Sequence, residues 1–337
     1  MSSRPTSPVI AGTDPAPQLL VLPLLMLLLL LLLLAGCTPE RDPLELFVQD
    51  GVGQLVVEGV LIVDQPLPSV RLSRTLPPQE PFSWADARED GAAVLILIDG
   101  VEEVPYRQSW LAGGVYVPLD QEPPVVQPST TYELVVTTGT GETLRAMTTT
   151  PRRFAVDSWT LLDTEGQDVL RNLKTFREAG GLIYEGPENQ LAYGEGLLET
   201  RFTGTTAADL EAAGFQLALF SLDLGSDYVI DPPFFDDEDF ESLDRVGSSP
   251  AVTAERGAVR LPWFSIYYEG RHLYKVFAVD RNWFDYIRSV PEADVGLGFG
   301  GNAGDNFASP IFNVDGGIGL FASASVDSMG FTIHPAE

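Results

Sequence analysis

Residues 92–107 read AAVLILI (Ala92–Ile98), DG (Asp99–Gly100) and VEEVPYR (Val101–Arg107). The first run is apolar and rich in β-branched residues, and the return run follows after two residues that tolerate positive φ. That is the signature of a β-hairpin with a two-residue turn. Strand-like runs extend outward on both sides. Upstream lie Gln54–Val63 (QLVVEGVLIV) and Ser69–Arg74. Downstream lie Gly114–Pro118, Thr131–Thr138 (TYELVVTT) and Glu142–Thr149, the last two joined by Gly139-Thr140-Gly141. Short runs divided by Pro and Gly clusters indicate an antiparallel β-sandwich over residues 51–150. Leu76–Asp90 is rich in proline and charge and reads as a long loop.

Pro151-Arg152-Arg153 punctuates the chain, and a boundary is placed near residue 150. Residues 151–337 read as a second β-rich domain. Its strands are Phe154–Leu162, Leu197–Thr203, Phe215–Leu222, Trp263–Tyr268, His272–Val279, Ile318–Ser325 and Met329–Ile333. Val169, Leu170, Leu173 and Phe176 fall on one side of a helix over Gln167–Arg177. Thr206–Ala213 reads as a short helix capped by Thr205 or Thr206, and Arg281–Ser289 as a helical turn. The expected class is mostly β: two antiparallel sandwich-like domains of immunoglobulin or transthyretin type, the second with short helices.

The chain has 337 residues, with 20 Lys+Arg against 48 Asp+Glu and a net charge of −28. Such a polyanion is repelled by phosphate backbones, which argues against nucleic-acid binding. One Cys excludes an intrachain disulfide, and one Cys with two His lacks the ligands for a Cys/His zinc site.

Leu19–Leu34 is apolar apart from Pro23 and is followed by Leu34-Ala35-Gly36-Cys37. Sixteen helical residues reach roughly 24 Å, short of a ~30 Å hydrocarbon core. Residues 1–36 therefore read as a signal peptide. Small residues directly before a lone Cys resemble the lipobox of bacterial lipoproteins. By that resemblance, the Cys37 thiol takes a diacylglycerol and the new amine a further acyl chain such as palmitate. Thr38 is not the Asp of an inner-membrane retention signal, so delivery to the outer membrane is expected. Residues 37–50, with Pro39 and Pro43 among charges, form the tether. The leader holds one cation, Arg4, and one anion, Asp14, so processing leaves the net charge unchanged.

Several motifs recur in a known order behind this lipobox. They are Val57-Glu58-Gly59, Val70-Arg71-Leu72-Ser73-Arg74, Gly114-Val115-Tyr116 and Tyr132-Glu133-Leu134-Val135-Val136. Near the end come Trp283-Phe284-Asp285-Tyr286, Phe307-Ala308-Ser309-Pro310 and Asn313-Val314-Asp315-Gly316-Gly317-Ile318-Gly319-Leu320-Phe321. This order resembles a Bacteroidota lipoprotein family known as domain of unknown function 4249. Two departures stand out: the aromatic segment is not a clean Tyr-x-Tyr, and Asp315 precedes the paired glycines. The resemblance implies an outer-membrane lipoprotein that works beside a TonB-dependent transporter, and it carries no catalytic residues over. The glycine stretch itself is explained by close strand approach.

His272 and His334 are the only imidazole bases, and there is no Gly-x-Ser-x-Gly elbow. No cofactor is implied. Gly296–Gly301 lacks the spacing of a dinucleotide loop. Asp236, Asp237, Asp239 and Glu241, inside a run of acids from Asp227 to Asp244, are candidate ligands for Ca²⁺, which takes 6–8 oxygens. The run lacks the glycine of an EF-hand loop, and a solvated loop tip is the competing reading. The leading expectation is a non-enzymatic, lipid-anchored accessory protein. One alternative is a glycan- or peptide-binding protein that uses Trp263, Tyr267, Tyr268, Trp283, Phe284 and Tyr286 as a stacking platform. Another is a hydrolase built on scattered carboxylates.

Overall fold

A computed structural model describes residues 51–77, 80–176, 178, 186–202, 206–225, 227–229, 245–252, 257–261, 263–289 and 310–336. The first half contains β1 (Leu55–Ile62), β2 (Val70–Arg74), α1 (Trp84–Ala87), β3 (Ala93–Ile98), β4 (Glu102–Gln108), β5 (Val115–Pro118), β6 (Thr131–Thr137) and β7 (Thr143–Thr149). The Asp99-Gly100 hairpin is β3–β4, but Ile98 pairs with Glu102, so the turn holds three residues, Asp99, Gly100 and Val101, where two were expected. Its turn residues Asp99 and Gly100 both have positive φ, at 50° and 70°. Burial alternates along β1, β6 and β7, so every second side chain faces a core. That core holds Val57, Leu72, Ile96, Tyr116, Tyr132, Leu134 and Leu144. Within the stretch read as a loop, α1 forms a single helical turn.

The second half contains β8 (Ser158–Leu162), β9 (Val169–Leu173), β10 (Gln190–Ala192), β11 (Leu197–Arg201), β12 (Gly214–Ser221), β13 (Val246–Ser248), β14 (Ala258–Leu261) and β15 (Gly270–Val279). They are followed by α2 (Arg281–Ser289), β16 (Val314–Asp315) and β17 (Ile318–His334). Thirteen strands form one sheet in the order β13-β12-β15-β17-β1-β2-β5-β4-β3-β6-β7-β16, with β10 also on β17. The other four form a small sheet, β14-β11-β8-β9. Trp159 on β8 meets Tyr274 on β15 edge-on at 5.2 Å, so the small sheet packs on the large one. Around them lie Phe154, Leu161, Phe202, Phe215, Leu217, Val276, Met329 and Phe331.

The boundary expected near residue 150 falls between these two cores, but backbone pairing runs across it. The large sheet is mixed rather than purely antiparallel, because β17 pairs parallel to β1 from Val56↔Ile318 to Ile62↔Ala324. Parallel partners need a long crossover, and here the whole intervening chain supplies it. Where two strands were expected, β17 is one strand of 17 residues, which at about 3.3 Å per residue spans about 55 Å. Its start contributes Phe321 to the first core and its end contributes Phe331 and Ile333 to the second.

Three local expectations are corrected. The helix over Gln167–Arg177 is the strand β9, since the tight Asp163–Asp168 turn returns the chain to pair with β8. The Thr206–Ala213 helix is only a hydrogen-bonded turn, although Thr206 and Asp209 exchange the expected cap hydrogen bonds. Trp263–Tyr268 begins as a 3-10 turn at Trp263–Ser265, not as a strand. Conversely, Arg281–Ser289 is a full nine-residue helix.

The glycine stretch explains how β16 and β17 fit. A Cβ on Gly316 would overlap the Thr143 carbonyl oxygen, and one on Gly319 the Val57 carbonyl oxygen. One on Gly317 would lie 2.6 Å from the Leu55 oxygen. Asn313 then joins β7 to β17. Its amide nitrogen donates to Met147 O at 3.2 Å and Phe321 O at 2.6 Å, and its oxygen accepts from Phe321 N at 3.0 Å.

Candidate functional site

Cys37 and the calcium candidates Asp236, Asp237, Asp239 and Glu241 lie outside the described residues. Among the described residues no group of three or more His, Cys, Asp or Glu side chains is placed to hold a metal. Among them, too, no helix is long and apolar enough to cross a membrane. The functional reading therefore turns on how the body receives the chain from Cys37.

The described chain starts at Gly51, immediately before β1, and its first residues are fastened. Gly53 N donates to Thr75 O at 2.8 Å, Gln54 N to Thr75 Oγ1 at 2.9 Å, and Thr75 N to Gln54 O at 3.0 Å. The Thr75 hydroxyl also donates to Gly51 O. Arg74, the last residue of β2, spreads its guanidinium over three segments. It donates to Gly53 O at 2.8 Å, to Glu89 at 2.5 Å and to Glu142 in the β6–β7 turn. These carboxylates hold the Arg74 pKa above its ordinary value, and Arg74 in turn lowers that of Glu142. A planar fork with five donors suits a three-way junction in a way that a lysine does not.

Strand register places the β4–β5 loop, Ser109–Gly114, at this same end. Val115 pairs with Arg71, and Leu72 N donates to Gly114 O at 2.7 Å. The loop is tied to the segment around α1. Trp84 Nε1 donates to Gly113 O at 3.0 Å, and Gly114 N donates to Asp90 at 2.7 Å. Arg71 lies over the Trp84 ring, 4.5 Å from its centroid. Phe82, Trp110 and Leu111 project into solvent here, at 74%, 82% and 74% exposure. Sequence reading missed these residues, since it took 76–90 as an undifferentiated loop and did not single out the 109–114 connection. A Trp-Leu pair in an uncharged, glycine-ended loop was the signal available.

An open groove of about 440 Å³ runs over the outer faces of β1 and β17 beneath α2. Val56, Val60, Ile318, Leu320, Tyr286 and Phe312 line it, with Glu58 as its charged member. Glu58 lies 3.4 Å from Arg71. The proposed aromatic platform is only partly presented, because Tyr267, Tyr268 and Phe284 are buried.

His272 is buried, stacks on Phe331 at 5.5 Å and has Nδ1 3.0 Å from Gly270 O; His334 Nε2 faces Gln190 Oε1 at 2.6 Å. Burial pushes the His272 pKa down to about 4, so the ring is neutral and Nδ1 donates. Asp280 is the other perturbed buried group. Its pKa is pushed up to about 6 by burial, against opposing hydrogen bonds from Thr148 and Trp283. It caps α2, with Trp283 N donating to Oδ1 at 2.9 Å.

Residues 41–329 match the family described as domain of unknown function DUF4249. The chain belongs to that family. No curated protein matches it. The family's motifs now have structural roles: Asn313 joins two strands, and Gly316, Gly317 and Gly319 let backbones approach.

Proposed function

We propose that this DUF4249 protein is a lipid-anchored lipoprotein of the outer membrane, held by acyl chains on Cys37. It acts by binding rather than by catalysis, as an accessory of a TonB-dependent transporter. One observation carries the anchoring: the only Cys of the chain follows Leu34-Ala35-Gly36 at the end of an apolar run. A single acyl chain binds a bilayer only marginally, whereas two or three hold it stably. The transporter comes from the family resemblance. The reading is supported by β9, which ends the small sheet among the described residues and exposes Val169 and Leu170. An added strand from a partner would find hydrogen-bonding backbone there.

Mass spectrometry of the processed N-terminal peptide tests the anchor. A peptide beginning at acylated Cys37 is expected; a free thiol or a retained leader would remove the basis for the location. Affinity purification in mild detergent tests the partner, and absence of any TonB-dependent transporter from the purified material counts against that role.

A further inference from the structure

We propose that the end of the body carrying Gly51 rests on the bilayer, with Trp110, Leu111 and Phe82 set into the headgroup layer. This rests on the lipid anchor at Cys37 and adds an orientation to it. Three observations converge. First, the point at which the chain leaves for its anchor and the exposed apolar loops share one end of the sheet. Gly53 is bonded to Thr75 and Arg74, while the Ser109–Gly114 loop follows β4 and precedes β5 at the Arg71–Leu72 side. Val52, itself 43% exposed, adds to that end.

Second, the chain from Cys37 to Gly51 has a maximum reach of about 50 Å at ~3.6 Å per residue. The end bearing Gly51 thus stays within about 50 Å of the anchoring lipid, nearer than any part of the body farther along the chain is required to be. Tethering turns a weak surface contact into an intramolecular one, so a few apolar side chains suffice where they would not hold a free protein.

Third, the loop that carries Trp110 and Leu111 is uncharged although the whole chain is strongly acidic; the exposed acids Glu80 and Asp86 lie beside Phe82 and not in this loop. Ser109–Gly114 contains no charged residue. Of the acids behind it, Glu89 is paired with Arg74 at 2.5 Å and Asp90 with Arg88 at 3.1 Å. Tryptophan is the side chain most suited to the interface, being apolar with one hydrogen-bond donor. Trp84 lies behind the tip with its own donor spent on Gly113, which leaves Trp110 as the presented indole. The β3–β4 turn, with Val101 at 85% exposure, marks the opposite end of the same strands. β17 runs from the membrane end into the second core, which places that core away from the lipid.

The test uses the full lipidated chain reconstituted into phosphatidylcholine vesicles whose acyl chains carry bromine, a short-range quencher of indole emission. Wild-type protein is expected to lose emission relative to unbrominated vesicles. Trp110→Phe keeps a ring but removes the emitter, and is expected to lose most of that quenching. Val101→Trp adds an emitter at the far end that stays unquenched. Equal quenching of wild type and Trp110→Phe, or strong quenching in Val101→Trp, overturns the orientation. The Cys37 peptide of the same sample is weighed. Acylated protein without Trp110 quenching defeats the orientation alone, whereas protein without acyl chains defeats the anchor and the orientation with it. Sedimentation of wild type and Trp110→Ser in detergent covers the remaining occupant. A dimer that Trp110→Ser splits would make this end a contact between copies and overturn the proposal.

Discussion

Thr148 on β7 donates its hydroxyl to Asp280 at 2.5 Å, across 132 residues of chain. Ser323 of β17 adds its hydroxyl to Thr148 at 2.7 Å and its carbonyl to Asp280 N at 2.9 Å. The first core, the long shared strand and the start of α2 thus meet at one buried carboxyl group. Burial raises its pKa from 3.8 to about 6. A carboxyl raised on folding contributes stability below its unfolded pKa, and that contribution is lost as pH rises through about 6. The ceiling is about 3 kcal/mol, at 1.36 kcal/mol per unit. Asp280→Asn keeps a cap acceptor and removes the charge. It is expected to gain on the order of 1–3 kcal/mol over wild type above pH 6, with the gain vanishing near pH 4. Urea unfolding across that interval reads it, and an unchanged pH slope contradicts the assignment.

His272 runs the other way. Its folded pKa lies below the unfolded 6.5, at about 4. Its contribution is complete above pH 6.5 and fades as pH falls toward 4. In wild type the two groups partly cancel between about pH 4 and pH 6. His272→Phe, which keeps a ring against Phe331, removes the opposing contribution, so between about pH 4 and pH 6 stability is expected to fall more steeply with rising pH than in wild type. In NMR titration the His272 ring resonances should hold still down to about pH 5; movement near 6.5 would show a solvated imidazole.

Much of the fold was legible because its signals are local. The Asp99-Gly100 turn and the alternation in Thr131–Thr137 specify hairpin partners within a few residues, and β3, β4, β6 and β7 form as expected. What the sequence left unread was long-range. Nothing near Val57 states that it lies beside Gly319. Likewise, Val169, Leu170 and Leu173 carry a helical spacing that pairing with β8 overrides. The candidate site divides the same way. Cys37 is a local motif, but the shared end of Gly51, Trp110 and Phe82 exists only once β1, β2, β4 and β5 are in register.

Gly319 has φ +117°, and its missing side chain makes room for the Val57 carbonyl oxygen. Gly319→Ala adds both a steric overlap and a backbone penalty, each of order 1–3 kcal/mol. Loss of at least that much stability, with loss of protection at the β1–β17 amides, is the expected outcome in denaturant and hydrogen-exchange measurements. Gly139→Ala is the control: nothing lies within 4 Å of its added carbon, and its change should stay within about 0.5 kcal/mol. Equal costs at the two positions would show that close approach is not what requires Gly319.

Arg74 holds the segment through which any pull from the proposed anchor would pass. Arg74→Met keeps most of the stem but removes the donors to Gly53, Glu89 and Glu142. The Gly53 carbonyl loses its side-chain donor and Glu89 its cation, at a cost of about 1–3 kcal/mol. The effect should be uneven. The amides of Gly53 and Gln54, which depend on Thr75, are expected to exchange faster by at least about tenfold, while those of β15 and β17 beyond Ala324 change little. Arg74→Lys recovers only part of the protection, since one ammonium cannot reach three segments at once. Uniform acceleration across the sheet would instead mean that Arg74 supports global stability and does not specifically fasten the segment that precedes β1.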